Sequence, residues 1–453
     1  MSREETAAPR QTLSLFDGIV MVVGMVVGIG IFAMPSMVAQ FAGNSFNYLA
    51  LWLVGGLLAL NGALCYAELA GRFPGAGGEY NFLSRAYGKS VALLFAWARC
   101  SVIQTGSIAL VAFVYGDYAN SLLPLGALGP AIHAAIIIVI FTCINMAGTF
   151  QGALAQKVFT SLDLIALVLI LLAGAVLFLG GGNAAPAPAA SSGGGAVPGM
   201  IGLAVVFVML TFGGWNESAY LSAELKDAKR NMVRVLVFSI LLVTVLYFAV
   251  AFIYLQAVGY QALASSSTIA ADVMGAAFGP MGATAIALFV CGAAISTLNA
   301  TIFTGARIYY ALGRDLPWLG KVGRWSREGE NPANAFLVQG AVALALVALA
   351  AAQNKSGLQT MVDYITPVFW LFMVLVGVSL FLFRFRDLGE SGGYRVHLYP
   401  VTPALFIATC LYMLWSSVDY VKDGTFWGLA MLLAGVPLLF FRRKSEPAPG
   451  AAE

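Results

Sequence analysis

Twelve stretches of this chain are long and apolar enough to cross a lipid bilayer, and no other feature limits the fold as strongly. A membrane helix needs about 20 predominantly apolar residues, because its backbone N–H and C=O groups must find partners within the segment. The stretches lie near residues 14–40, 46–70, 89–121, 128–147, 153–180, 198–223, 232–258, 276–313, 333–352, 360–383, 401–421 and 425–441, numbered here as spans 1 to 12. Residues are 60% hydrophobic and 10% charged, against about 25% charged in ordinary soluble domains. That scarcity excludes a water-soluble globule, a disordered chain and a nucleic-acid partner. The expected fold class is all-α: a polytopic membrane protein of 12 transmembrane helices.

Lys and Arg test the map by position. With the N-terminus placed in the cytoplasm, 21 of the 24 basic residues fall in cytoplasmic segments, only Lys355 and Lys422 fall outside, and Arg99 lies within span 3. Cytoplasmic loops carry such an excess of positive charge, so both termini are expected inside. One slipped span would scramble the alternation. The uncharged Gly/Ala/Pro/Ser stretch from Gly180 to Pro198 reads as a flexible external linker. No cleavable signal peptide is expected, since span 1 is too long and more spans follow. One transmembrane domain over 1–445 and a short tail at 446–453 are expected, in a bacterial-type inner membrane.

Catalytic signatures are missing. Cys65, Cys100, Cys143, Cys291 and Cys410 are scattered in apolar runs and read as packing residues. His133 and His397 stand far apart, which argues against a histidine metal site. Neither a P-loop nor a GxSxG motif occurs. No enzyme activity and no cofactor are expected.

Two spans carry glycine breaks near their middles. Span 1 holds Gly24, Gly28 and Gly30 in VVGIGIFAMP, and span 6 holds Gly213 and Gly214 in LTFGGWNES. They occupy matching places in two five-span halves, about 14–180 and 198–383, with spans 11 and 12 (about 401–441) as additions. Broken backbone at membrane depth is tolerated where it lines a cavity or meets a ligand. Half-helix N-termini attract a carboxylate, and freed carbonyls attract an ammonium or a cation. Close packing is the plainer reading of Gly24-xxx-Gly28 alone. The matched pair, with Pro35 just after the first break, points to a midplane site for a zwitterion.

Four segments stand out: GIGIF (28–32); YAEL with FPGAGGEYNFL (66–83); FGGWNESAYLSAELKDAKRNMVRVL (212–236); and LNATIFTGARIYYALGRD with NPANAFLVQG (298–340). With them the chain resembles the amino acid–polyamine–organocation transporters, and within them the L-type amino acid transporter group. The resemblance implies a LeuT-like fold of 5+5 inverted repeats plus two C-terminal helices, working by alternating access. It implies that N–H groups of Ile29, Gly30 and Ile31, beside Gly28, hold the substrate carboxylate. It likewise implies that carbonyls of Val26, Val27, Thr211 and Phe212 hold the ammonium, next to Gly213 and Gly214. Phe212 and Trp215 become candidate gating aromatics, with Leu210 where some members have a gating Phe.

Charge within the bilayer is costly and prompts a functional reading. Asp163, in span 5, stands where proton-coupled relatives often carry a Lys. Glu217 follows the span 6 break, where some exchangers of the family carry a proton-sensing Glu. Each could instead be a hydrogen-bonded structural group. Arg99 reads as paired with an acid or snorkelling. Glu68 and Glu224 read as salt-bridge partners at cytoplasmic helix ends. Ser296 and Thr297, in span 8, could face an ion or pack against a neighbouring helix. The coupling ion, H⁺ or Na⁺, stays open.

The expected function is secondary active transport of amino acids, with proton or cation coupling or exchange. Ile31, Phe32, Leu210, Phe212 and Trp215 around the breaks tilt the substrate towards neutral L-amino acids. A polyamine or cationic amino acid transporter is the alternative, with Asp163 and Glu217 as ligands, and a non-transporting membrane sensor is a remote one. Partners are the amino acid or amine and the membrane lipid; the sequence leaves the oligomeric state undetermined.

Overall fold

A computed structural model describes residues 13–73, 78–147, 153–179, 198–221, 225–315, 320–324, 332–353, 356–386, 394–420 and 422–439. The side chains of 153–164 are outside that description, Asp163 among them, as is Glu224. Each of the twelve expected spans contains helix among its described residues. Span 1 is α1 (Leu15–Val26) and α2 (Gly30–Ala42), bent by 52° at the break. α3 (Ser45–Arg72) is span 2. A short helix, α4 (Gly78–Tyr87), follows it in what the sequence map reads as a loop. Span 3 is α5 (Lys89–Ala98), a π-helical segment (Arg99–Gln104) and α6 (Thr105–Leu122); spans 4 and 5 are α7 (Gly129–Met146) and α8 (Ala153–Leu179).

Span 6 is α9 (Pro198–Thr211), a turn, a 3₁₀ segment (Trp215–Glu217) and α10 (Ser218–Leu221). α11 (Ala228–Val258) and α12 (Tyr260–Ser265) precede α13 (Ile269–Asp315), which contains span 8 and is kinked at Gly279 beside Pro280. α14 (Ala333–Ala351), α15 (Gly357–Phe385), α16 (Val401–Tyr420) and α17 (Lys422–Leu433) complete the set. Among the described residues, eight helices are long and apolar enough to cross a membrane, nine if the bent pair is one span, and shorter apolar helices lie at Ile165–Leu179, Met200–Thr211 and Trp427–Leu439. Among the described residues, pairing of extended backbone is limited to one isolated bridge, Leu13 with Leu225.

Local chemistry explains where the helices start. Ser14 and Asp17 form a reciprocal capping box at the head of α1: Asp17 N–H donates to Ser14 Oγ (3.2 Å), and Ser14 N–H to Asp17 Oδ2 (3.0 Å). Asn44 caps α3 by accepting from Asn47 N–H at 2.8 Å. Small residues then let helices approach. A Cβ added to Gly55 would strike Val208 of α9, and one added to Gly56 would strike Thr244 of α11. α3 therefore lies tightly on both, as small-residue interfaces do in membranes. α2 packs on α9, so the two broken spans sit side by side.

The basic end of the bundle is tied by Glu68, which is fully buried. It accepts from Arg384 Nε (2.9 Å) and from the Val396 N–H (2.8 Å), with Arg72 at 3.6 Å. This bears out its reading as a fold salt bridge. The cluster fixes α3, the end of α15 and the start of segment 394–400 together.

Candidate functional site

α1 ends at Val26 and α2 begins at Gly30, with Val27, Gly28 and Ile29 between them. Ile29, which precedes α2, makes no side-chain cap hydrogen bond, and Gly28, Ile29 and Gly30 line the space beside the break. The span 6 turn comes up against this break. Gly214 has φ +110°, a left-handed value that favours glycine, and a Cβ there would strike the Met25 carbonyl. A Cβ on Gly30 would meet Thr211 Cα at 3.3 Å. These two glycines thus serve the mutual approach of the two breaks.

A cavity of about 600 Å³ opens on both breaks, within the range usual for small-ligand sites. Val26, Gly28, Ile29 and Gly30 line it from span 1; Leu210, Thr211, Gly213, Gly214, Asn216 and Glu217 line it from span 6. Thr297 contributes from α13. The far wall is Gln104, Ser107, Thr301, Ile365 and Phe369. The cavity runs through Phe95, Ile308 and Val376 towards the helix ends bearing Lys89, Arg307 and Arg384. Past the breaks in the other direction, hydroxyls knit the helices shut. Tyr118 donates to Phe32 C=O (2.7 Å) and accepts from the Ala270 N–H (3.3 Å), while Tyr260 donates to Ala39 C=O (2.5 Å).

Several expected site residues fall elsewhere. Phe212 is fully buried between Trp52 (6.5 Å) and Tyr247 (5.1 Å), and Trp215 is buried against Tyr66 (5.0 Å) and Phe406 (6.3 Å). Neither lines the cavity, because the turn at Gly213–Gly214 aims both rings at α3, α11 and α16. The aromatics on the cavity wall are Phe95, Phe369 and Phe372. Val27, Ile31 and Ser296 are buried and off the wall too.

Charge at the site is concentrated on Arg99, the first residue of the π segment. Its Nη2 lies 2.7 Å from Glu217 Oε1 and its Nη1 lies 3.6 Å from Glu79 Oε2. Glu79, from α4, also accepts from Asn216 Nδ2 (3.0 Å) and Tyr66 Oη (3.4 Å). Arg99 is therefore acid-paired inside the bilayer region rather than snorkelling. The π turn sets this up: it loosens the backbone ladder and leaves carbonyls needing donors. Tyr309 Oη donates to Cys100 C=O (2.7 Å), and Tyr364 Oη to Ser101 C=O (2.9 Å).

The geometry is that of a membrane carrier: two broken helices facing one cavity that opens towards one end of the bundle. The chain matches the amino acid permease family over residues 13–435, and it belongs to that family. It is 28% identical to the mouse b(0,+)-type amino acid transporter 1 over 416 residues, covering 90% of this chain and 83% of the relative. It is 28% identical to the serine/threonine exchanger SteT of Bacillus subtilis over 446 residues, covering 96% and 98%. It is 28% identical to the mouse large neutral amino acids transporter small subunit 2 over 443 residues, covering 96% and 81%. The protein is thus a multi-pass amino acid transporter and not an enzyme.

Proposed function

We propose that the protein moves neutral L-amino acids by alternating access, and that the cavity at the two breaks is its substrate site. One observation carries this reading: both breaks open on the same cavity of about 600 Å³. The uncapped N-terminus of α2 supplies N–H donors and positive dipole for the carboxylate. The ends of α1 and α9, at Val26 and Thr211, supply carbonyls for the ammonium. The side chain then lies between the apolar group Leu110, Ile365 and Phe369 and the hydroxyls of Ser107 and Thr301.

Neutral substrates fit better than cationic ones because both acids lining the cavity, Glu79 and Glu217, already face Arg99, which offsets one of their two charges and would repel a second cation. The names of the relatives, an exchanger of serine and threonine and a transporter of large neutral amino acids, agree with that class. The basic-residue bias supports cytoplasmic termini, an inner-membrane location and a cavity that here faces the cytoplasm. Glu217 is the proposed proton-coupling group: its carboxylate is 40% exposed to the cavity while that of Glu79 is 2% exposed. The two five-span halves, 14–180 and 198–383, are proposed as the repeats whose relative motion exposes the site to each side.

A thermal-shift screen of the purified protein tests the substrate class. The ligands are the twenty amino acids and common polyamines, with and without Na⁺ and at two pH values. A ligand that binds the folded state raises its melting temperature by mass action. Shifts confined to neutral amino acids are expected. Shifts with polyamines or lysine alone would overturn the neutral assignment.

A further inference from the structure

Four polar side-chain atoms are buried behind α2, outside the cavity wall. They are Ser36 Oγ on α2, Tyr48 Oη and Trp52 Nε1 on α3, and Tyr254 Oη on α11. Their residues are at most 2% exposed, and among the described residues none of the four atoms has a hydrogen-bond partner. Tyr48 Oη stands near Trp52 but not in hydrogen-bonding geometry with its ring nitrogen. Ser36 Oγ does not take the back-bond to the carbonyl four residues earlier, the usual recourse of a helical serine.

The four come together from three helices. α3 and α11 run antiparallel, with Gly56 against Thr244 and the Trp52 ring 6.1 Å from that of Tyr247. Further along the pair Tyr48 meets Tyr254, the two hydroxyls lying within electrostatic range of each other. Ser36 stands between Phe32 and Ala39 on one face of α2. The carbonyls of those two residues take the hydroxyls of Tyr118 and Tyr260. Tyr118 in turn lies within range of Tyr254, and Tyr260 within range of Tyr48.

A buried polar group is nearly always paired, with ordered water where the protein offers nothing, because leaving it unpaired forfeits its solvation. The donor set defines the occupant. The Trp52 N–H can only donate, while the three hydroxyls donate and accept. Residues 30–42, 45–60 and 245–265, which supply the surrounding backbone, carry no charged side chain. An ion there would be uncompensated and costly. Water is neutral and matches both kinds of partner. It also has a way in: an open pocket of about 420 Å³ at the end of α2 is lined by Ala39, Gln40, Gly43, Tyr260, Gln261 and Ser265, and so reaches the Tyr260 side of the cluster.

We propose that α2, α3 and α11 enclose a buried water site, in which ordered water joins Ser36, Tyr48, Trp52 and Tyr254. Water exchanges partners at small cost, so α2 can shift against α3 and α11 without stranding a buried hydroxyl. The site is separate from the cavity at the breaks and does not depend on what that cavity binds.

The test is an experimental structure of the full chain at a resolution that shows ordered water, with a second data set from crystals soaked in bromide. The expected result is a water peak within about 3.2 Å of at least two of the four atoms, and no anomalous bromide signal there. No peak, or direct hydrogen bonds among the four side chains in its place, overturns the proposal. A bromide signal at the site overturns it in favour of an anion. A melting assay tests the same point without crystals. Removing a hydroxyl that bonds water costs stability, whereas removing one that is buried and dry relieves a desolvation penalty. Tyr48→Phe and Tyr254→Phe are each expected to lower the melting temperature by a few degrees. A melting temperature unchanged or raised in either variant overturns the proposal.

Discussion

Replacing Arg99 by Met removes the cation that the two acids of the site share. Glu79 is the more exposed to that loss in energetic terms. Its carboxylate is 2% accessible, and without Arg99 it keeps Asn216 and Tyr66 among its donors. Glu217 is 40% accessible and can turn to water in the cavity. Breaking a buried pair by deleting one partner costs about 3–5 kcal/mol, since it strands the other charge. Asn216 and Tyr66 still donate to Glu79, which puts Arg99→Met near the lower end, about 3 kcal/mol. The stranded carboxylate is the cause, so Arg99→Met combined with Glu79→Gln should be more stable than Arg99→Met alone, while Arg99→Met with Glu217→Gln should regain less. The assay is unfolding in mixed micelles by SDS titration, run as a double-mutant cycle. If Arg99→Met stays within about 0.5 kcal/mol of wild type, a value typical of a neutral surface change, the pairing does not hold the site together. If Glu217→Gln rescues better than Glu79→Gln, the burial argument has assigned the charge to the wrong acid.

Three further outcomes follow from the geometry. Gly28→Ala adds a Cβ with nothing within 4 Å, so stability should be unchanged in a melting assay while substrate KM rises; Gly30→Val places a Cβ 3.3 Å from Thr211 Cα, and should lower both melting temperature and binding. Glu68→Gln removes the anion that holds Arg384 and Val396 N–H, and should cost about 1.5–3 kcal/mol, as for a charge-assisted hydrogen bond, with transport of the remaining folded protein retained in vesicles. Glu217→Gln should abolish accumulation driven by a proton gradient in liposomes while one-for-one exchange persists; Asp163→Asn in parallel tests the other acid, and full accumulation by both variants excludes both as coupling sites.

Much of this was legible in the sequence because bilayers demand long, continuous apolar helices. Spans 2, 4 and 9 begin and end within a few residues of their hydropathy limits, and the breaks at Gly28 and Gly213–Gly214 are where glycine says they are. What escaped depends on contacts between distant segments. The Arg99–Glu79 pair joins span 3 to a short amphipathic helix, α4, that is too polar to register as a span. The GEY in FPGAGGEYNFL was the one available sign of Glu79. The π turn after Ala98 has no hydropathy signature, although Gln104 and Ser107 in an apolar run hint at a lined cavity. Phe212 and Trp215 were misplaced because the direction of a side chain at a break is set by the turn and not by helical periodicity. The approach of Gly30 to Thr211, 3.3 Å from an added Cβ to its Cα, likewise joins segments far apart in sequence.

The central claim is that an amino acid occupies the cavity between the two breaks. Thr301 lines that cavity, and Cys143 is the one exposed native cysteine, the other four being buried. Thr301→Cys in a Cys143→Ser background places one reachable thiol at the site. The measurement is its rate of modification by a small charged methanethiosulfonate, with and without saturating L-leucine or L-serine, using whichever raises the melting temperature of wild type. Occupancy of the cavity predicts that the amino acid slows labelling several-fold and that the labelled protein no longer binds it. An unchanged labelling rate at saturation, with binding intact after modification, would place the substrate elsewhere and contradict the account.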